Sequence, residues 1–147
     1  MTILFSPARE ADFEPLLALR MLALRESLER VGRFDPARGR ARFRAGFSPE
    51  HTLLIHDDGV FAGCVTVRDE GPGETWLENL YLRPEVQGRG VGARAMAAIL
   101  ARTDAEARTV RLSVLTGSPA NRFYVRLGFV ETHREDVDIY YVRQPAG

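Results

Sequence analysis

The feature that most constrains this chain is an apolar run that ends in a glycine-rich loop. Leu80 to Leu82 stop at Pro84, residues 87–92 contain three glycines, and an alanine-rich helical pattern begins at Val91. Glycine accepts positive φ and has no Cβ, so such a loop lets an anion approach the backbone N–H groups closely. The helix that follows adds unpaired N–H groups and the positive end of its dipole. The segment predicts a phosphate-binding turn between a strand and a helix.

Composition limits the classes of protein to consider. The 147 residues predict a single domain over 1–147, with 45% apolar and 27% charged residues as in globular proteins. A net charge of zero disfavours nucleic acid as a partner. No apolar run approaches the roughly 20 residues of a membrane span, and residues 1–5 do not resemble a signal peptide. The single cysteine, Cys64, excludes an internal disulfide, and we expect a cytoplasmic protein with no membrane partner.

All twenty basic residues are arginine. A Walker-type phosphate loop and a Schiff-base mechanism are therefore excluded, since both need lysine. Residues 31–50 hold five arginines against Asp35 and Glu50. That segment is either a solvated helix face or a positive lip that attracts an anionic substrate or the phosphates of a cofactor.

Hydrophobic spacing and turn residues predict alternating strands and helices. A helix over about 12–31 is expected to be capped by Asp12 and ended by Gly32, and a second helix to open at Asp35-Pro36. The turn Asp57-Asp58-Gly59 predicts a hairpin. Strands are expected at 3–5, 51–56, 60–68, 75–82, 109–115, 129–130 and 139–142, and two later helices at 91–102 and 120–127.

Three further details follow from single residues. Gly63, inside a strand, suggests a bulge or a close backbone approach. Ser118 and Pro119 suggest an N-cap and a first helical residue. An acidic turn is expected at His133 to Asp136 between the last two strands. The element order predicts a mixed sheet with helices on both sides, in the α/β or α+β class.

The glycine loop has two interpretations. The series Gly88-Arg89-Gly90-Val91-Gly92-Ala93 matches a dinucleotide fingerprint, but the loop lies past mid-chain and the strands before it form a hairpin, unlike a Rossmann unit. Shifted by one residue, Gln87-x-x-Gly90-x-Gly92 after Leu80-Tyr81-Leu82-x-Pro84 resembles the acetyl-CoA loop of the Gcn5-related N-acetyltransferase (GNAT) superfamily. The segment from Ser118 to Phe129 resembles the superfamily's second motif, with Tyr124 at its tyrosine.

The resemblance extends over the whole chain and implies the fold and the chemistry. The implied fold is a mixed, mainly antiparallel sheet of six to seven strands flanked by about four helices. The implied activity is transfer of acetyl from acetyl-CoA to a primary amine of a small molecule, peptide or protein by direct attack, with no metal. The alternatives are a non-catalytic acyl-CoA-binding module and, less favoured, a dinucleotide-binding protein. The acetyltransferase is preferred because a degenerate copy need retain neither Tyr124 nor Glu78.

The resemblance also implies which residues hold acetyl-CoA. Backbone N–H groups over 88–92 would hold the pyrophosphate, helped by Arg89 or Arg94 and by the Gln87 amide. The backbone of the strand before the loop would align the pantetheine arm, and an N–H near Leu82 would face the thioester oxygen. Ser118 departs from the asparagine of many members, and Asn121 is an alternative amide. The expected cofactor-binding residues are Leu80, Tyr81, Leu82, Gln87, Gly88, Arg89, Gly90, Val91, Gly92, Ser118, Asn121 and Tyr124.

Two residues are candidates for proton transfer. Tyr124 matches the superfamily's general acid, which protonates the leaving thiolate; without the motif it would read as a packed aromatic. Glu78 is the candidate base, directly or through water, because strand alternation is expected to place it on the same face as Leu80 and Leu82. Its alternative is a structural partner for an arginine.

The sequence leaves two alternatives for the charge of the acceptor amine. Asp136 and Asp138 would suit a cationic amine, whereas the arginines of residues 33–44 would suit a carboxylate. A homodimer through the closing strands is a further expectation.

Overall fold

The structure, a computed structural model, describes residues 2–147. Within them it contains seven β-strands and four α-helices. The strands are β1 (Ile3–Pro7), β2 (Thr52–Asp57), β3 (Val60–Asp69), β4 (Glu74–Leu82), β5 (Thr109–Leu115), β6 (Val130–Glu135) and β7 (Asp138–Arg143). The helices are α1 (Phe13–Arg30), α2 (Pro36–Gly46), α3 (Val91–Ala105) and α4 (Ala120–Arg126).

The strands form one sheet in the order β1-β2-β3-β4-β5-β7-β6. Neighbouring strands are antiparallel except β4 and β5, which are parallel and are joined through α3. The mixed, mainly antiparallel sheet with four helices confirms the predicted fold class. A single parallel pair is too little for the repeated βαβ units of a dinucleotide-binding domain.

Each face of the sheet has its own hydrophobic core. On one face, residues of α3 and α4 pack on the strands, with Met96 and Val110 fully buried between them. On the other face, α1 contributes Leu16 and Phe13, α2 contributes Phe43, and Phe47 follows α2 directly; the three phenylalanines form a cluster. The sheet is therefore covered on both sides, as the element order predicts.

The helix boundaries follow from local chemistry. Asp35 caps α2, since its carboxylate accepts from the Arg38 N–H at 3.1 Å, and Pro36 takes the first helical position. Gly32, at φ 73°, ends α1. The prediction that the Asp12 side chain caps α1 was wrong: its carboxylate accepts from the Arg9 N–H at 2.7 Å, within a short 3₁₀ turn.

Several other boundaries differ from the prediction. His51 belongs to a 3₁₀ turn before β2, and α3 continues to Ala105 because Thr103 is completely buried and extends its apolar face. The acidic turn is shorter than expected, since residues 133–135 are still paired in β6. Helix α4 ends one residue earlier than predicted, at Arg126. Pro119, expected at the first helical position, is its N-cap, and the Ser118 hydroxyl accepts from Ala120 N–H at 3.2 Å.

The end of β4 carries an irregularity that positions the rest of the site. Cys64 pairs with Tyr81 and Thr66 with Glu78, so Asn79 and Leu80 together oppose a single residue of β3. Asn79 takes positive φ, 55°, as expected for the extra residue of a bulge. The Asn79 side chain is held by the Tyr81 hydroxyl, which donates to its Oδ1 at 2.9 Å.

Candidate functional site

Strands β4 and β5 pair only at their beginnings and then separate. Their register covers Glu74 to Trp76 against Thr109 to Arg111. Beyond these residues β4 stays with β3, while β5 stays with β7 as far as Leu115. A cavity of about 640 Å³ opens at this separation and is lined by residues 77–81 of β4 and 112–115 of β5. Its volume is in the usual range for a small-molecule site.

The bulge changes which side of the sheet the β4 residues after Asn79 face. Leu77, Leu80 and Leu82 pack with the core under α3, whereas Tyr81 packs with the core under α1. Glu78 pairs with Thr66 on the α1 side. The expectation that Glu78 shares a face with Leu80 and Leu82 was therefore wrong, because the extra residue at Asn79 shifts the alternation by one.

Glu78 lines the cavity and is also an ion-pair partner. Its carboxylate lies 3.2 Å from Nε of Arg68, and Arg68 in turn donates to the Gly46 carbonyl at 2.6 Å. The side chain of Glu78 is 42% exposed. A structural arginine contact, the alternative left open by the sequence, is thus present, and the carboxylate is still accessible to water and to a ligand.

Tyr124 is a buried phenol at the wall of the cavity. It is 8% exposed and packs edge-on against Phe123 and Phe129, with ring centroids 5.1 and 5.6 Å away. Burial raises the pKa of Tyr124, and the nearby Tyr81 raises it further, so the phenol stays protonated across the physiological range. Its hydroxyl makes no hydrogen bond to any of residues 2–147, which leaves the proton available to a bound ligand.

Tyr81 lies near this phenol, and Cys64 lies beside Tyr81 on the α1 side. Burial raises the pKa of Tyr81 to about 12, against the opposing effect of the Arg20 guanidinium. Burial also raises the pKa of the Cys64 thiol to about 12, and the thiol lies 3.4 Å from the Asn79 carbonyl. Cys64 is 1% exposed, so it packs as a small hydrophobic residue and is not placed to act as a nucleophile.

The glycine loop presents a row of unpaired donors. Gly88 and Gly90 both have φ 79°, and Gly90 is the N-cap of α3 with no side chain capping it. The first helical bond runs from Arg94 N–H to the Gly90 carbonyl. Among residues 2–147 no acceptor is found for the six N–H groups from Gly88 to Ala93. Unpaired N–H groups at a helix start are the arrangement that binds phosphate.

Gln87 makes a contact within the chain that the sequence did not predict. Its amide donates to the Leu82 carbonyl at 3.1 Å and so ties the loop to the end of β4. Gly92 is buried, and a Cβ at this position would lie 3.2 Å from the Leu82 side chain. Gln87 and Gly92 therefore hold the loop against β4.

Ser118 and Asn121 differ in their access to the cavity. Ser118 lines it, whereas Asn121 is not among its lining residues. Both amide hydrogens of Asn121 are engaged, by the carbonyls of Leu115 and Ser118 at 2.9 Å each, and its oxygen accepts from Tyr141 at 2.7 Å. Asn121 thus fixes the turn between β5 and α4 and has no free amide hydrogen for a ligand.

The cavity brings together only part of the predicted set. Glu78, Leu80, Tyr81, Ser118 and Tyr124 line it, and Leu82 and the loop from Gln87 to Gly92 lie beyond its lining. Sequence reasoning did not single out Arg20 or Asn79, which also line it. Asparagine in mid-strand was the one available signal, because asparagine is enriched at positive φ. Nothing in the helical pattern of α1 marks Arg20.

Neither a metal site nor a membrane-spanning helix was found in the described part of the chain. No cluster of His, Cys, Asp and Glu among residues 2–147 has the arrangement of a metal site. None of the helices there combines the length and the apolar content that crossing a membrane requires.

Comparison with known proteins gives a family and a set of folds. The model of the acetyltransferase (GNAT) family matches residues 16–129. No curated protein sequence matches this one. The paiA N-acetyltransferase from Thermoplasma acidophilum, crystallised with coenzyme A, has a TM-score of 0.77 at 17% identity, covering 98% of this chain and 99% of its own.

Two further solved structures are similar. The ribosomal-protein-S18-alanine N-acetyltransferase from Escherichia coli has a TM-score of 0.71 at 16% identity, covering 99% of this chain and 96% of its own. The N-acetylglutamate synthase from Neisseria gonorrhoeae, complexed with coenzyme A and N-acetyl-glutamate, has a TM-score of 0.67 at 16% identity; the match covers 100% of this chain and 36% of the synthase. At these identities the likeness concerns the fold alone.

Proposed function

The chain belongs to the acetyltransferase (GNAT) family, and we propose that it transfers an acetyl group from acetyl-CoA to a primary amine by direct attack. The observation that carries this proposal is the separation of β4 and β5 around a cavity that contains Tyr124, a buried phenol without a hydrogen-bond partner among residues 2–147. A module that only binds acyl-CoA has no use for such a proton donor. We take residues 1–147 as one catalytic domain, in the cytoplasm, where a free cysteine stays reduced.

The residues fit acetyl-CoA as co-substrate. The six free N–H groups from Gly88 to Ala93 are suited to the pyrophosphate, with Arg89 and Arg94 adjacent. The unpaired edge of β4 at Leu80 and Leu82 is suited to the pantetheine arm, which would pair with it as an added strand. Ser118 lines the same cavity. The crystallised paiA N-acetyltransferase, which has this fold, was bound to coenzyme A.

Acetyl transfer requires one proton to leave the amine and one to reach the sulfur. The amine nitrogen attacks the thioester carbonyl, the carbon–sulfur bond breaks, and the thiolate takes a proton from the Tyr124 hydroxyl. Glu78, directly or through a water, accepts the proton that the amine releases. An N–H near Leu82 is proposed to face the carbonyl oxygen, where one such donor is worth about 3 kcal/mol in comparable acyl transfers.

A thiol-release assay over a panel of amines tests the activity. We expect free thiol and acetylated amine to appear in equal amounts with at least one amine. Binding of acetyl-CoA without thiol release for every amine would favour the non-catalytic acyl-CoA module instead.

A pair of glycine variants tests the phosphate-binding loop. Gly90 and Gly73 have φ of 79° and 78°, and neither has a neighbour within 4 Å of an added Cβ. Alanine at either position therefore costs a similar backbone strain of about 1 kcal/mol. We expect Gly90→Ala to weaken acetyl-CoA binding at least tenfold and Gly73→Ala to leave it unchanged. Equal affinities in the two variants would argue against phosphate binding at the loop.

Homodimerisation through the closing strands also stays a proposal. Strand β6 is at the edge of the sheet, all six of its residues are exposed, and Val130 is 65% exposed. Sedimentation of the chain with and without Val130→Lys would test it.

A further inference from the structure

The charged residues of the cavity wall bear on which amine the protein acetylates. Arginine and acidic side chains are equally represented in the lining, and contacts with other residues neutralise some of them. The lining contains Arg20, Arg33, Arg38 and Arg42, together with Asp35, Glu78, Asp136 and Asp138.

Three of the four acidic groups are already engaged. Arg33 holds Asp136 through two hydrogen bonds of 2.8 and 2.7 Å. Glu78 pairs with Arg68, which is not among the lining residues, and Asp35 accepts from the backbone at the start of α2. Asp138 is the fourth acidic group, and it has no arginine within 4.0 Å among residues 2–147.

Helix α2 carries its arginines in two rows. Arg40 and Arg44 point to the start of α1, where they pair with Glu14 and Glu10. Arg38 and Arg42 are four residues apart and line the cavity, and neither has a carboxylate within 4.0 Å in the described part of the chain. A shift of two residues turns a helix by about 200°, so the two rows lie on different sides of α2.

Arg20 adds a third cation from α1. Its Nη1 is buried and has no hydrogen-bond partner, and a Cβ on Gly39 would lie only 3.1 Å away from it. Buried guanidinium nitrogens are normally hydrogen-bonded, and leaving one unpaired is costly. In this conformation the nitrogen is closed off, so Arg20 would rotate toward the cavity to meet an acceptor there.

The coenzyme phosphates do not account for these arginines. The free N–H groups at the start of α3 lie beyond the cavity lining, and α3 packs on the face of the sheet opposite to α1 and α2. A phosphate held at that loop leaves Arg20, Arg38 and Arg42 without an ion-pair partner within 4.0 Å among residues 2–147. Asp35 keeps its charge although it accepts from a backbone N–H, so these three arginines stand against Asp35 and Asp138 and give the cavity a surplus of one positive charge.

Resting on the proposed function, we propose that the acceptor is an amine that also carries a carboxylate, bound by Arg38 and Arg42 with Arg20 behind them. Arginine is suited to this role because its planar fork binds a carboxylate through two parallel hydrogen bonds. The amine end then reaches the acetyl group between β4 and β5, while the carboxylate stays on the α2 side of the same cavity.

The test compares ω-amino acids of increasing chain length with their carboxamides in the thiol-release assay. Rates are referred to the concentration of unprotonated amine, because a carboxylate and a carboxamide change the amine pKa differently. We expect kcat/KM at the favoured length to be at least tenfold higher for the carboxylate, and the preference to shrink as salt is added. Equal rates for acid and amide, or a preference for diamines, would overturn the carboxylate proposal and leave acetyl transfer intact.

Variants of α2 test which arginines produce the preference for a carboxylate over a carboxamide. The double variant Arg38→Gln/Arg42→Gln should reduce the acid-to-amide ratio at least fivefold, mainly through the KM of the amine and with the KM of acetyl-CoA unchanged. Arg40→Gln, on the other row of the same helix, is the matched control and should keep the ratio. An unchanged ratio in the double variant would show that these two arginines do not bind the carboxylate.

Binding of N-acetylated ω-amino acids in the presence of coenzyme A separates the two proposals. If no amine is acetylated but these compounds bind the wild-type chain and bind the double variant at least fivefold more weakly, acetyl transfer fails and the anion site stands. If these compounds bind neither the wild-type chain nor the double variant, the proposed anion site is wrong as well.

Discussion

Replacing Tyr124 by phenylalanine should separate activity from stability. Phenylalanine keeps the ring that packs against Phe123 and Phe129. The lost hydroxyl has no hydrogen-bond partner among residues 2–147, so its removal breaks no hydrogen bond within them. Because no hydrogen bond is lost and the ring packing is kept, we expect the variant to be at least as stable as the wild type. For a chain of this size, a gain of about 1 kcal/mol raises Tm by roughly 2–4 °C.

Activity should change in the opposite direction. Without the proton donor, we expect kcat for thiol release to fall at least tenfold, which corresponds to about 1.4 kcal/mol of transition-state stabilisation. Acetyl-CoA affinity should stay the same, because the proposed role begins only when the carbon–sulfur bond breaks. Thiol release, acetyl-CoA titration and thermal unfolding measure the three quantities.

Tyr141→Phe is the matched control. Tyr141 is as buried as Tyr124, but its hydroxyl donates to Asn121 at 2.7 Å. Its removal should cost about 1 kcal/mol of stability, with a smaller effect on kcat than Tyr124→Phe. An unchanged kcat in Tyr124→Phe would remove this residue from the mechanism, and a lower Tm would show that its hydroxyl has a partner in the folded chain.

Three further outcomes are expected. Glu78→Gln should lower kcat for thiol release, whereas normal turnover would leave Glu78 only its structural contact with Arg68. Gly63→Ala should reduce stability by about 3 kcal/mol or more in denaturant unfolding, because the new Cβ would lie 2.1 Å from the Tyr81 carbonyl oxygen; a normal stability would mean that β3 and β4 are further apart. Stability should also fall between pH 9 and about 12, since the thiol of Cys64 and the phenol of Tyr81 ionise earlier in the unfolded chain than in the folded one, where each pKa is about 12. A flat stability profile over that range would argue against their burial.

Local chemistry made much of the fold predictable from the sequence. The Asp35-Pro36 pair sets the start of α2, and Gly63 marks a close approach of two backbones. Strand β5 was predicted at its observed bounds, because its alternation is regular and turn residues both precede and follow it. Such signals operate over a few residues and depend little on the rest of the chain.

The features that were missed depend on long-range contacts. The pairing of Arg40 with Glu14 and of Arg33 with Asp136 joins residues 26 and 103 positions apart. No spacing rule within a helix predicts such partners. The sequence therefore showed a run of arginines but not which of them stay free, and the choice between a solvated face and an anion-binding lip needed the packing of α2 on α1.

The bulge at Asn79 has a consequence for how β4 tolerates substitution. On a regular strand, positions that reject polar residues recur at every second residue. Here the phase changes in mid-strand: Leu77 packs in the core under α3, and Leu80 and Leu82 resume that series three residues later. A saturation scan of residues 74–82 should show this slip, and deleting Asn79 should restore an uninterrupted period of two, with Glu78 and Tyr81 on the same face. This change of phase would identify the bulge from mutational data alone, without a bound ligand.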